Sequence, residues 1–296
     1  MKTIGEHDYA TYPRRFDGYK WYKPLLVGLF YAVFSIISMI VIELITKMLL
    51  SASVSSTGYD DMDFFTTAGA FYNGAAAAIA MPCLLLAARI IKDRPISSYF
   101  SSMGGWRWKV FFKTFAAGLL IVGIPSVVWF SLPGKTGSVK FTAGGFLLLT
   151  LFIPLQGLGE ELVCRGFIMQ TVSSWFKLTF AGVIVQTVLF TVVHPYNITG
   201  IISIAVSGLL YALICLYSKG IESPSILHIF NNAAEIYMAG FGYRLITAEQ
   251  TIPDVVVNLT IKALFFLFIL YADKKLHWFD EVKTDDVVLF NSQRKS

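Results

Sequence analysis

Apolar runs near the length a helix needs to cross a bilayer, roughly 20 residues, recur at about 25–47, 66–90, 110–130, 143–163, 179–194, 200–217, 224–240 and 255–272. The pattern predicts an all-α chain of about eight transmembrane helices, the fifth to seventh of them short. The polar connections sort by charge. The N-terminal arm carries Lys2, Arg14, Arg15, Lys20 and Lys23, whereas the first loop, SASVSSTGYDDMDFF, carries no Lys or Arg. Arg89, Lys92, Arg94, Arg107, Lys109 and Lys113 surround the next connection, and Lys274, Lys275, Lys283, Arg294 and Lys295 lie in the C-terminal tail. By the positive-inside rule both termini are expected in the cytoplasm.

Composition agrees with a multi-pass integral membrane protein. Hydrophobic residues make up 55% of the chain, charged residues only 15%, and 25 of the 296 residues are Phe; mean hydropathy is +0.64. That is too apolar for an ordinary soluble domain. The net charge of +5 is accounted for by topology, and no nucleic-acid partner is needed to explain it. Membrane lipid is the partner that this composition implies. No cleavable signal peptide is expected, because the first apolar run follows a long polar arm and is long enough to act as the anchor. Cys83, Cys164 and Cys215 lack metal-type spacing and read as packing residues. YPRRFDGYKWYK and SSYFSSMGGWRWK suit the membrane interface, where Trp, Tyr and basic residues are favoured.

Ionisable residues inside lipid are expensive and tend to be functional, which draws attention to GLGEELVCRGF, residues 157–167. Glu161 and Arg165 stand four apart in the favourable order for a helical ion pair. Arg165 then neutralises Glu161 and leaves Glu160, about 100° around the helix, free for chemistry. Gly157 and Gly159 permit close helix approach beside it. In LFTVVHPYN, Phe190 and His194 share a helical face and Pro195 ends the helix. In SPSILHIFNNAAE, Ser223 is expected as the N-cap and Pro224 as the first helical residue. His228 and Asn232 then share a face, with Glu235 further along, either supporting the site or partnering a neighbouring helix. Two imidazoles, a carboxylate and a carboxamide are the ingredients of a metal site with a general base.

Depth can be counted at 1.5 Å per residue: from a turn at Lys177, Glu160 lies about 24 Å in and His194 about 22 Å in, so the two can face each other. His228 is only about 7 Å past Ser223. Either the turn from Lys219 to Ser223 is sunk into the membrane, or the sixth helix is tilted or broken. Glu43 and Lys47 read as a local i,i+4 pair. The sequons at Asn197 and Asn258 fall in or beside apolar segments and read as chance matches, and His7 and His277 are placed in water.

In order, Glu160-Glu161-x-x-x-Arg165, Phe190-x-x-x-His194 and His228-x-x-x-Asn232 resemble the three signature motifs of the CPBP family of intramembrane proteases, also called the Abi or CAAX-protease family. That family includes CAAX endopeptidases and proteins linked to bacteriocin processing and immunity. The resemblance covers about residues 143–240. It divides the chain into an N-terminal arm with three helices (1–142), a catalytic core (143–240), and a last helix with a cytoplasmic tail (241–296). It implies eight helices around an intramembrane polar cavity, a bacterial plasma-membrane location and intramembrane endopeptidase activity on a peptide or membrane-protein substrate. Catalytic roles are implied for Glu160, Glu161, Arg165, His194, His228 and Asn232. Either a bound metal or glutamate alone activates the water; two imidazoles and a carboxylate suit Zn²⁺, held by Glu160, His194, His228 and Asn232.

Other classes fit less well. There is no HExxH and no Gly-x-Gly-Asp, and Ala205-Val-Ser207-Gly208 lacks the leading glycine of a rhomboid-type motif. Ser207 with His228 therefore makes a weak candidate dyad. A non-catalytic adaptor or immunity protein binding a peptide in the same cavity is the alternative function, and a proton-coupled transporter is disfavoured by the lack of matching halves.

Overall fold

The computed structural model describes residues 8–50, 63–245, 247 and 249–280. The first loop over residues 51–62, together with Lys2, His7, Lys283, Arg294 and Lys295, lies outside them. Among the described residues the main elements are helices: α1 (Lys23–Met48), α2 (Thr67–Ile91), α3 (Trp108–Ser131), α4 (Ala143–Phe176), α5 (Thr179–Val192), α6 (Ile198–Ser218), α7 (Glu222–Gly240) and α8 (Ile252–Lys274). Six of these, all but α5 and α7, are long and apolar enough to cross a membrane. The chain is thus an all-α, multi-pass membrane protein, and six of the eight expected spans meet that criterion of length and composition among the described residues. α5 is too short, and α7 carries Glu222, His228, Asn231, Asn232 and Glu235 along its length.

Local chemistry sets the helix ends. Thr66, Thr142, Asn197 and Thr251 each accept an N–H of the first turn on their side-chain oxygen, satisfying a donor that the helix cannot. Lys92, Lys177 and Lys219 end α2, α4 and α6 in the left-handed conformation. Helix α1 turns Leu25, Leu29, Ile36, Ile40 and Leu44 outward, which suits a lipid-facing helix. Helix α4 runs through the centre, against α2, α5 and α7, and α7 packs in turn on α3 and α6.

The basic segments gather at one end of the bundle. There Arg14 donates to the Ser174 carbonyl, Lys23 to the Lys92 carbonyl and Trp175 to the Trp21 carbonyl, and Lys219 pairs with Asp280. The N-terminal arm, the α2–α3 connection and the segment after α8 therefore share one face, as the charge pattern required. Asp280 is held below the usual carboxylate range by its hydrogen bonds to His277 and Lys219. Glu43 and Lys47 form their i,i+4 pair in the open, and the three cysteines are buried free thiols.

The helix boundaries bear out one expectation and correct two. α4 continues past the apolar run to Phe176, as the depth count from a turn at Lys177 assumed, through a wide π-helical stretch, Leu162–Met169. α5 ends at Val192, so His194 sits in the turn beyond it. α7 begins at Glu222 with Ile221 as N-cap, which puts Ser223 inside the first turn. The reason lies in a buried clamp: Arg107 grips both carboxylate oxygens of Glu222 from its Nε and Nη2 at 2.9 Å and also donates to the Ser218 carbonyl at 2.6 Å. This bidentate pairing, fully buried, holds the α6–α7 turn beneath the α2–α3 connection.

Candidate active site

Burying the α6–α7 turn answers the depth problem posed by His228. Every residue from Glu222 to Ile229 is buried, so α7 starts inside the protein. At 1.5 Å per residue Glu160 is about 24 Å from Phe176, and His228 about 9 Å from the start of α7. The two nevertheless meet, His228 Nε2 lying 3.6 Å from Glu160 Oε2. Close approach of the backbones permits it: a Cβ on Gly157 would stand 2.8 Å from Ile229 Cγ1 and 3.3 Å from the Ile229 nitrogen.

The two adjacent acids have different surroundings. Glu161 is completely buried and its Oε1 accepts both from Arg165 Nη1 and from His228 Nδ1, each at 2.9 Å. Arg165, equally buried, donates its second amino group to the Gly208 carbonyl on α6 at 3.0 Å. Glu160 keeps 24% of its side chain accessible and accepts from Gln156 Nε2, one turn earlier, at 2.9 Å. Because a carboxylate only accepts, His228 places its proton on Nδ1, and in the singly protonated ring the lone pair of Nε2 is turned toward Glu160.

His194 is oriented in the same sense, its Nδ1 donating to the Phe190 carbonyl at 2.6 Å. Having left the helix, it still packs on the Phe190 ring, with centroids 4.8 Å apart, and stacks on Tyr196. Phe190 and Tyr211 both contact the His228 ring, and the Arg165 guanidinium lies against both aromatic rings at 4.9 and 5.2 Å. Arg165 thus supports the aromatic platform under the histidines as well as Glu161, using cation–π contacts. The π-helical widening of α4 spans Arg165, a distortion common where a helix carries function.

A cavity of about 350 Å³ opens over this platform and is lined by Glu160, His194, His228 and Asn232 together. Glu161 and Arg165 lie behind its wall. The wall also carries residues that motif spacing did not single out. Asn258 on α8 donates to Asn231 Oδ1 at 2.8 Å, and Asn231 donates to Asn232 Oδ1 at 3.2 Å. This chain fixes the Asn232 amide with its Nδ2 unoccupied as a donor. Lys262 also lines the cavity and donates to Ser207 Oγ at 2.8 Å, while Ser207 gives its own proton to the Ser203 carbonyl. Ser207 is therefore bonded away from His228. A lysine in the middle of the last apolar run was the legible signal for Lys262, and the i−4 position before Glu160 the signal for Gln156.

Glu160, His194, His228 and Asn232, the residues expected to hold Zn²⁺, line one cavity, and among the described residues no group of three or more His, Cys, Asp or Glu side chains is gathered at one point.

Fold and site together describe a polytopic membrane protein with an acid–histidine centre in a cavity between its helices. Residues 142–234, from the cap of α4 to the middle of α7, match the family described as Rce1-like, type II CAAX prenyl endopeptidase Rce1-like. Through this segment the chain is similar to the CPBP or CAAX-protease family of intramembrane proteases. No curated protein and no solved structure matches it.

Proposed function

We propose that the protein is an intramembrane endopeptidase that hydrolyses a peptide bond in a membrane-associated peptide or protein, with Glu160 as the base. One observation carries the reading: His228 is held by Glu161 at one ring nitrogen and presents the other to Glu160 inside the cavity. A gap of 3.6 Å is a little too wide for a direct hydrogen bond and suits two groups that share a water.

Glu160 takes a proton from that water as its oxygen attacks the scissile carbonyl, and His228 Nε2 orients it by accepting its other hydrogen. The tetrahedral oxyanion is met by Asn232 Nδ2, held in place through Asn231 and Asn258. When the C–N bond breaks, Glu160 delivers its proton to the leaving amine, so that OH ends on the new acid and H on the new amine. Loss of one oxyanion donor costs about 10²–10³ in rate. His194, across Phe190, lines the substrate space with a free Nε2.

The family match favours a prenylated CAAX peptide as the first substrate to try. Protein reconstituted in liposomes is incubated with farnesylated peptide and the products are read by mass spectrometry. Cleavage by the wild type and its loss in Glu160→Gln and His228→Ala are expected; wild-type levels in either variant remove that residue from the step. For Zn²⁺, expected from the donor chemistry, elemental analysis of wild type beside the His194→Ala/His228→Ala variant is the test, and near-stoichiometric zinc lost in the variant adds the metal to the site.

A further inference from the structure

The two ends of the bundle treat the reacting centre differently. Toward the basic end it is sealed. Cys215 and Ser218 on α6, Ile226 and Leu227 on α7, and Phe265 and Ile269 on α8 are all fully buried, and none of them lines the cavity. Beyond them stands the clamp of Arg107 on Glu222, whose guanidinium also reaches the carbonyl of the fully buried Phe279 at 3.4 Å. The N-terminal arm closes the same end, Tyr9 being 1% exposed with its hydroxyl donating to the Tyr99 carbonyl at 2.7 Å.

Toward the other end the cavity runs on to the surface. From His228 its wall follows α7 through Asn232 and Ile236, and it reaches Phe64 ahead of α2, Gly200 in the first turn of α6, and Leu245, Thr247 and Gln250 between α7 and α8. Leu245 is 67% exposed and Thr247 is exposed as well, so this rim meets water. At 1.5 Å per residue His228 lies about 18 Å along α7 from Gly240, and Glu160 about 26 Å along α4 from Ala143. A peptide entering by the rim therefore needs roughly six to eight extended residues, at about 3.3 Å each, to reach the centre.

Charge tells the two ends apart. The sealed end holds the basic arm and the basic α2–α3 connection, joined by Lys23 to the Lys92 carbonyl. Around the rim Lys135, Lys140 and Arg244 are balanced by Asp63, Glu249 and Asp254, and the loop before α2 carries no Lys or Arg. An excess of Lys and Arg in short connections marks the cytoplasmic side, which puts the sealed end in the cytoplasm and the rim outside it.

We infer that the cavity opens to the extracytoplasmic side, and that its substrate is an extended peptide segment already carried across the membrane, so that a translocation step must precede cleavage. The substrate half of this inference rests on the peptidase reading of the cavity; the orientation does not. A lipidated tail presented in the cytoplasm would meet the sealed end.

Thiol labelling and cleavage test the two halves separately. The full-length chain is expressed in a bacterial plasma membrane with one added cysteine, Thr247→Cys at the rim, Ile236→Cys inside the cavity or Lys20→Cys at the basic end. The native cysteines are buried, and the unsubstituted protein gives the background. A membrane-impermeant maleimide is applied to spheroplasts and to inside-out vesicles. The thiols at 247 and 236 should react in spheroplasts, and the thiol at 20 only in inside-out vesicles. Reaction at 236 from the cytoplasmic side, or from neither side, overturns the proposal, as does reaction at 247 in inside-out vesicles alone. A mixed-sequence library of unlipidated twelve-residue peptides is then added to the same two preparations and read by mass spectrometry. Cleavage by the wild type should be at least tenfold faster in spheroplasts than in inside-out vesicles holding equal protein, and absent from Glu160→Gln. Glu160-dependent cleavage that is faster in inside-out vesicles overturns delivery from outside and keeps the peptidase reading. Labelling as expected with no cleavage from either side overturns the peptidase reading and leaves the extracytoplasmic opening standing.

Discussion

Replacing Glu161 by glutamine keeps the outline of the side chain and removes its charge, and the surroundings set the consequence. Glu161 and Arg165 are both fully buried, and one carboxylate oxygen serves both Arg165 and His228. Without the carboxylate, Arg165 retains the Gly208 carbonyl and two aromatic rings but no counter-charge. Breaking a buried pair from one side costs about 3–5 kcal/mol. Glu160→Gln is the matched control: this side chain is partly accessible, its partner is the uncharged Gln156, and a glutamine can still accept that bond, so the stability change should stay within about 1 kcal/mol. Its effect falls on the rate, since losing a positioned base costs about 10²–10⁴. SDS titration of each variant, followed by circular dichroism and run beside peptide cleavage, reads both quantities. Glu161→Gln should unfold at a clearly lower SDS fraction, and Glu160→Gln should unfold with the wild type while losing cleavage. A Glu161→Gln protein as stable as the wild type would refute the division of the two acids into one holding and one reacting group.

Three further outcomes follow from other contacts. Glu222→Ala leaves Arg107 buried without its carboxylate and should cost about 3–5 kcal/mol, with cleavage lost as the start of α7 slips; unchanged SDS unfolding would dismiss the clamp. Gly157→Val places a branched side chain against Ile229 and its backbone, so overpacking of about 1–3 kcal/mol should accompany a larger fall in cleavage as Glu160 and His228 separate; retention of both would show that close approach is not required there. Reporter fusions at the two ends of the chain should both report the cytoplasm, and opposite sides would contradict the grouping of basic segments.

The sequence by itself determined the apolar helices, the sorting of Lys and Arg to one end, the Glu161–Arg165 pair and the list of candidate site residues. Each depends on periodicity, composition or spacing within one segment, and such signals survive without knowledge of neighbours. Ends and depths were another matter. That His194 lies past its helix and that α7 starts at a buried Glu222 depended on tertiary packing, above all the grip of Arg107 on Glu222 across 115 residues. Tertiary structure alone brought His228 from a shallow count onto Glu160, because depth in a bundle depends on where each turn is held as well as on residues from it. It also decided which cavity receives Asn231, Asn258 and Lys262, since facing is a property of packed helices and cannot be read from one strand of sequence.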